Sequence, residues 1–256
     1  MLAWLFRGLR HGVVTTRYPR RPEAPPPGFR GRVVASAAGG PELEELCPTG
    51  AIRVADDGRV VIDRGKCILC GACAEAKPEV FVLVSDYETA SRRRAGLVAA
   101  ADGRATVGEL RASLGEQSGT LRRSTHIRHV DTGSDGAEEW EIQALTNPYY
   151  DMQRLGFFFT LSPRHADVLL VTGGVTPSMR EPLLRAFEAM PEPRAVVAVG
   201  TDACSGGFSA AAGEVAGGVD EVLPVDVYVP GSPPAPIAIL HGLLLATGVL
   251  TREAAA

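Results

Sequence analysis

Cys67, Cys70 and Cys73 stand two residues apart in the run Cys67-Ile-Leu-Cys70-Gly-Ala-Cys73-Ala-Glu-Ala-Lys77-Pro78, and a fourth cysteine precedes them as Cys47-Pro48. Cysteines so closely spaced, in a chain that nothing marks as secreted, point to metal ligation rather than disulfides. Four thiolates can hold a [4Fe-4S] cluster or a tetrahedral zinc ion. Zinc ribbons pair C-x2-C with C-x2-C, whereas a triplet joined to a distant Cys-Pro follows iron-sulfur spacing. Gly71 would let the backbone bend close around a cluster, and Pro48 and Pro78 would turn the chain away from it. Cys47, Cys67, Cys70 and Cys73 are therefore the candidate ligands of one [4Fe-4S] cluster, with zinc as the alternative.

The pattern is similar to the bacterial two-cluster ferredoxin run, C-x2-C-x2-C-x3-C-P. Lys77 occupies the fourth cysteine position of the second run, and Ala37, Gly40 and Leu43 occupy the other three of the first. In two-cluster ferredoxins the fourth cysteine of each run ligates the other run's cluster. The resemblance thus implies that Cys47 completes the triplet's ligand set, while every ligand of the second cluster is missing together.

The elements that must position these thiols can be read around them. Ile52 to Val54 and Val60 to Ile62 flank Asp56-Asp57-Gly58, a hairpin signal. A small ferredoxin-like α+β unit is expected over residues 33–84. Before it, residues 1–32 form a basic arm with seven arginines against Glu23, +6 in a chain whose formal net charge is −4. The arm opens with Trp4, Leu5 and Leu9 beside Arg7 and Arg10, suited to an anionic membrane surface, to a partner protein or simply to solvent. Residues 85–125 read as a charged linker with one helix, Thr106 and Glu109 being spaced as a capping box.

From residue 126 to 256 the pattern becomes strands alternating with helices. Val168 to Thr172 and Ala195 to Val199 are buried-strand runs, separated by a helix opening at Ser178 and reaching Met190. Val219 to Leu223 and Val225 to Val229 read as further strands, followed by a proline-rich loop and a helix to about Thr247. The fold class is α/β: a ferredoxin-like domain followed by a flavodoxin-like open parallel sheet, whose functional loops should lie at the strands' carboxyl ends. Those loops are Gly173-Gly174, Gly200 to Gly207 and Pro230 to Pro236.

The second domain resembles the B-type subunit of NADH:quinone oxidoreductase (complex I) and the small subunits of membrane-bound, formate-hydrogenlyase-type nickel-iron hydrogenases. The likeness is carried by His129-Val-Asp-Thr-Gly-Ser134, Glu141-Ile-Gln-Ala-Leu-Thr-Asn-Pro-Tyr-Tyr-Asp151, His165-Ala-Asp-Val-Leu-Leu-Val-Thr-Gly173, Ala189-Met-Pro-Glu-Pro193 and Val227-Tyr-Val-Pro-Gly231. In that family four cysteines hold a [4Fe-4S] cluster beside a catalytic large subunit. Here they fall on Asp135, Glu138, Asp202 and Ser232. The resemblance implies an iron-sulfur subunit that has lost this second cluster, because hard oxygens replace the soft sulfur it needs.

It also implies a non-catalytic part of an oxidoreductase, with a hydrogenase-like or complex-I-like large subunit and other subunits of a membrane-associated complex as partners. The alternative is a non-redox scaffold or coupling subunit with a structural cluster. The carboxylates could bind a hard cation such as magnesium, though such groups are more often paired or solvated. Cys204 lacks an identifiable base, and His126, His129, His165 and His241 lack ligand spacing. Gly206-Gly207 and Gly217-Gly218 do not form a phosphate loop, and the acidic body disfavours nucleic acid. No apolar run reaches the roughly 18 residues of a membrane span, and no signal-peptide pattern follows Met1. The expected address is cytoplasmic, peripheral on the inner face of the membrane through partner subunits.

Overall fold

A computed structural model of the chain describes residues 3–21, 23–100, 124–215 and 217–253. Strand β1 (Arg32–Ala35) pairs antiparallel with β4 (Phe81–Val84), tying together the two ends of the first unit. Between them, β2 (Ile52–Val54) and β3 (Val60–Asp63) form the expected hairpin, in the register Ile52↔Ile62. Helix α2 (Ala72–Ala76) carries Cys73. The core is small: Val33, Ala35, Leu43, Ile52, Val60, Ile62, Val80 and Phe81, with Cys73 among them.

The second unit holds a five-stranded sheet in the order β10-β9-β8-β6-β7. Its strands are β6 (Thr125–Asp131), β7 (Phe157–Phe159), β8 (Val168–Thr172), β9 (Ala195–Val199) and β10 (Val227–Val229). Every pairing is parallel, and the order reverses beside β6, the topological switch point of a flavodoxin-like sheet. All residues of β8 and β9 are buried, as strands covered on both faces must be. One face packs on the long helix Pro236–Glu253, contributing Ile239, Leu240 and Leu243. The other packs on the helix Pro177–Glu188 through Leu183.

Three segments depart from the sequence reading. Val219 to Leu223, expected as a strand, begins with a 3-10 turn over Val219–Glu221; Val219 and Leu223 are buried while Asp220 and Glu221 are exposed, the spacing of one helical turn rather than of a strand. Residues 85–100 do more than link. β5 (Val98–Ala100) adds a strand to β3, Arg94 grips Asp63 through two hydrogen bonds of 2.8 and 2.7 Å, and Ser91 exchanges backbone hydrogen bonds with Tyr228 of β10 at 2.9 and 2.8 Å. The capping box at Thr106 and Glu109 lies outside the described residues.

The basic arm is also only partly solvated. Thr16 N–H donates to Tyr149 O at 2.8 Å, Arg154 donates to Tyr18 O at 2.6 Å, and Tyr18 is 1% exposed. Its ring meets Tyr87 edge-on with centroids 5.4 Å apart. A tyrosine offers enough apolar surface to hold a chain segment in place, which its arginine-rich neighbours obscure. Helix α1 (Ala3–His11) and the residues after it stay outside this contact, with Leu9 73% and Val13 84% exposed. Tyr18→Ala should cost about 3 kcal/mol, the range for emptying a large aromatic site. Chemical denaturation will read that loss, and limited proteolysis should then cut between Thr16 and Glu23.

Candidate metal centre

The cysteine loop is built by two left-handed residues. Leu69 has φ 56° and Gly71 φ 86°; the glycine adopts this freely, but a leucine there costs about 1–2 kcal/mol. The reversal brings Cys67, Cys70 and Cys73 round one space, and Arg30 clamps the loop by donating to Leu69 O at 3.2 Å and Cys70 O at 2.8 Å. Cys47 arrives from the far side, at the end of the 3-10 helix Pro41–Leu46. Its sulfur accepts the Ala51 N–H at 3.2 Å and lies 3.4 Å from Thr49 Oγ1.

All four thiols line one pocket, otherwise walled mostly by apolar side chains including Val33, Leu46, Ile52 and Ile62. Cys73 is buried, Cys47 and Cys67 are half-buried and Cys70 is exposed. Burial pushes the Cys67 thiol up to about 11, and the neighbouring thiols add to it; the Leu69 backbone N–H pulls the other way. Cys73 is raised by burial and relieved by the Ala74 N–H. Bare, these groups hold their protons; iron would displace them, so metal binding and folding are coupled. Among the described residues no three His, Cys, Asp or Glu side chains form a group that could hold a metal ion. A [4Fe-4S] cluster needs its thiols spread around its volume, whereas a single zinc ion needs them to converge at about 2.3 Å.

The second group of expected positions lies at the carboxyl ends of the sheet strands. Asp135 is in the loop after β6, and Glu138 is in the first turn of α3 (Ala137–Ala144). Asp202 is in the short helix α5 (Thr201–Ser205) after the helix Pro177–Glu188, here α4. Asp202 and Asp135 both act electrostatically on Glu138, so the fold does bring these three together. Ser232 is exposed on the loop after β10.

Beside them, Thr201 Oγ1 lies 3.1 Å from Gly231 O and 3.3 Å from Cys67 O, its one hydroxyl proton shared between the two acceptors, a direct link from this loop to the cysteine loop. Gly31, Arg32, Arg64, Cys67 and Leu69 share a cavity with Pro230 and Gly231 across the same junction. No spacing in the sequence announces Thr201, because its partners lie 134 and 30 residues away.

Cys204 turns away from both places: it is fully buried and its sulfur faces Ala198 O at 3.9 Å. Burial pushes its thiol far up, which leaves it inert. His129 lies 2.9 Å from Thr172 Oγ1 and 3.5 Å from Glu139 Oε1. His126 lies 3.7 Å from Asp167 Oδ2, so both have structural polar partners. His241 is 1% exposed in the long helix, and burial lowers it to about 4, holding it neutral. His165 sits in a 3-10 turn.

Comparisons with known proteins bear on both units. Residues 136–246 match the family NADH ubiquinone oxidoreductase, 20 Kd subunit, and residues 60–112 match the 4Fe-4S single cluster domain. The chain is 40% identical over 148 residues to formate hydrogenlyase subunit 7 of Escherichia coli K12, covering 58% of this chain and 57% of that protein. It is 42% identical over 132 residues to probable membrane-bound hydrogenase subunit mbhJ of Pyrococcus furiosus, covering 52% of this chain and 79% of that one. An uncharacterized protein of Methanocaldococcus jannaschii is 46% identical over 123 residues, 48% of this chain and 82% of its own. Among solved structures, a chain from the membrane-bound sulfane sulfur reductase, an archaeal respiratory membrane complex, matches with TM-score 0.46 and 30% identity over 53% of this chain and 76% of that chain.

The exposures order the reactivity of the thiols. In metal-depleted protein, iodoacetamide should modify Cys70 first and Cys47 and Cys67 more slowly, while Cys204 reacts only after unfolding. Peptide mass spectrometry of a time course will show this order.

Proposed function

Because the chain belongs to the NADH ubiquinone oxidoreductase 20 Kd subunit family, we propose that it is an electron-transfer subunit of a hydrogenase-like or complex-I-like oxidoreductase, with one [4Fe-4S] cluster in its ferredoxin-like unit and none in the second domain. The observation that carries this reading is the contrast between two places in one fold. Four thiols line a shared space in the first, while carboxylates and a serine occupy the family's cysteine positions in the second.

Cys47, Cys67, Cys70 and Cys73 would hold the cluster, which supplies one-electron redox chemistry when bound. The chain's own residues set its surroundings. Val33, Leu46, Ile52 and Ile62 keep water off one side, and the Ala51 N–H donates to the Cys47 sulfur. N–H donors to sulfur favour the more reduced, more negative state of such a centre. Arg30 places a cation at the outer edge of the loop, where Cys70 is exposed. This is the side on which a redox partner has access.

The partners in this reading are a hydrogenase-like or complex-I-like large subunit and other subunits of a membrane-associated complex, at the inner face of the membrane. Among the described residues no helix is long and apolar enough to cross a membrane. Peripheral attachment suits α1, where exposed Phe6 and Leu9 stand beside Arg7 and Arg10. A second reading, a scaffold with a structural cluster, is favoured by one observation: all four of the second site's cysteine positions have changed together, which leaves no cluster between this ferredoxin-like unit and a large subunit.

Protein purified without oxygen should contain about four irons and four sulfides per chain, and serine at any of Cys47, Cys67 or Cys73 should remove most of both. About eight irons would overturn the assignment of an empty second domain; zinc without sulfide would overturn the redox reading. A cluster that no reductant of the purified complex can reduce, in a complex that still assembles, would decide for the scaffold.

A further inference from the structure

Glu138 is 2% exposed, and its Oε2 finds no hydrogen-bond partner among the described residues. The side chain is held fast against the end of β9. A Cβ on Gly200 would come within 2.5 Å of Oε1 and 2.8 Å of Cγ, so Glu138 fills the place that any other residue at 200 would need. The charged groups facing it are Asp202 from α5, Asp135 from the loop after β6 and Glu139 from its own helix, all of them acids. Exposure rises outward along the group: Glu138 is buried, Asp202 half-buried and Asp135 exposed.

We propose that Asp135, Glu138 and Asp202 form a proton-binding site, in which Glu138 takes the proton and Asp202 and Asp135 are its route to solvent. Three carboxyl groups in one partly dry place cannot all ionise without a positive charge among them. Among the described residues the group does not qualify as a metal site. Oε2 is almost fully buried. A proton is small enough. It removes the buried charge and turns an orphan acceptor into a donor that a neighbouring carboxylate can accept.

The electrostatics agree with the geometry. Burial, reinforced by Asp202 and Asp135, pushes Glu138 up to about 7, against the single opposing effect of its own backbone N–H. Asp202 is raised by burial and by Asp135. Folding therefore takes up a proton between the ordinary value of 4.5 and about 7. The stability this gives is fully present below 4.5 and is lost as pH rises through about 7.

The test is an infrared pH titration of the full-length protein, following the protonated-carboxyl band, in wild type, Glu138→Gln and Asp202→Asn. A band with a midpoint near 7 is expected in wild type; it should vanish in Glu138→Gln and shift to lower pH in Asp202→Asn, where one neighbouring negative charge is gone. Glu138→Gln should also flatten the pH dependence of unfolding, its folding equilibrium exceeding that of wild type by well over tenfold above about pH 7. Absence of the band, its survival in Glu138→Gln or an unmoved midpoint in Asp202→Asn would overturn the proposal. So would loss of the band on adding magnesium, which would make the site a cation site. If Glu138→Gln does not fold, Asp202→Asn and Asp135→Asn read the same shift on the intact Glu138.

Discussion

β8 and β9 are buried at every residue, and that single constraint arranges the rest of the molecule. A parallel sheet cannot leave either face to water, so the helices Pro177–Glu188 and Pro236–Glu253 must cover opposite sides. With both faces of β8 and β9 occupied, the loops at the strand ends are left to carry side chains that do not pack on the sheet. Parallel pairing sends the carboxyl ends of β6, β8, β9 and β10 to one edge. The Asp135 loop, the Gly200 turn and the Gly231 loop therefore meet there, and the ferredoxin-like unit is docked onto this same edge. Thr201 is one polar joint between the two, its hydroxyl within hydrogen-bond reach of both Cys67 O and Gly231 O.

The first unit is organised by a different balance. Its core is modest for an independent domain, and its cysteine loop holds Leu69 in a conformation that leucine avoids. Something must offset these costs. Part comes from neighbours: Arg30 on the loop carbonyls, Arg94 on Asp63, and the Ser91 to Tyr228 bridge that fastens the unit to β10. In the proposed reading the remainder is metal chemistry, since Cys67 and Cys73, whose thiols burial raises, would contribute to folding once iron replaced their protons.

How much of this the sequence discloses depends on the range of the interaction. The hairpin at Ile52 to Ile62 follows from a local turn signal, and β8 and β9 from unbroken apolar runs. The cysteine triplet is legible because its geometry is set within seven residues. Val219 to Leu223 fails for the same reason in reverse: a short apolar stretch fits a strand or a helical turn, and burial of its two ends decides for the turn. The docking of Tyr18, the added strand Val98–Ala100 and the Thr201 joint depend on partners far away in the chain. Near Tyr18 and Val98–Ala100 the composition, rich in arginine, even points the other way.

The burial of Glu138 belongs to this last class, and it changes what the replaced cysteine positions mean. In the proposed reading, where Asp135, Glu138, Asp202 and Ser232 stand at the family's cysteine positions, the exchange could leave a solvated scar, each carboxylate turned to water. Two of them do keep access to solvent, but the third is enclosed. Gly200 makes this possible: its φ of 94° suits glycine, and the space its missing side chain leaves is taken by the Glu138 carboxyl. Loss of sulfur donors alone would be satisfied by any small polar residue at 138. A long acid packed to contact against a glycine turn, with one oxygen left without a partner, is a more demanding arrangement than vacancy requires, because burial of that oxygen costs free energy unless a proton neutralises it. In the proposed reading the second site is thus a carboxyl group with one enclosed member, linked by the Thr201 hydroxyl to the loop that carries Cys67.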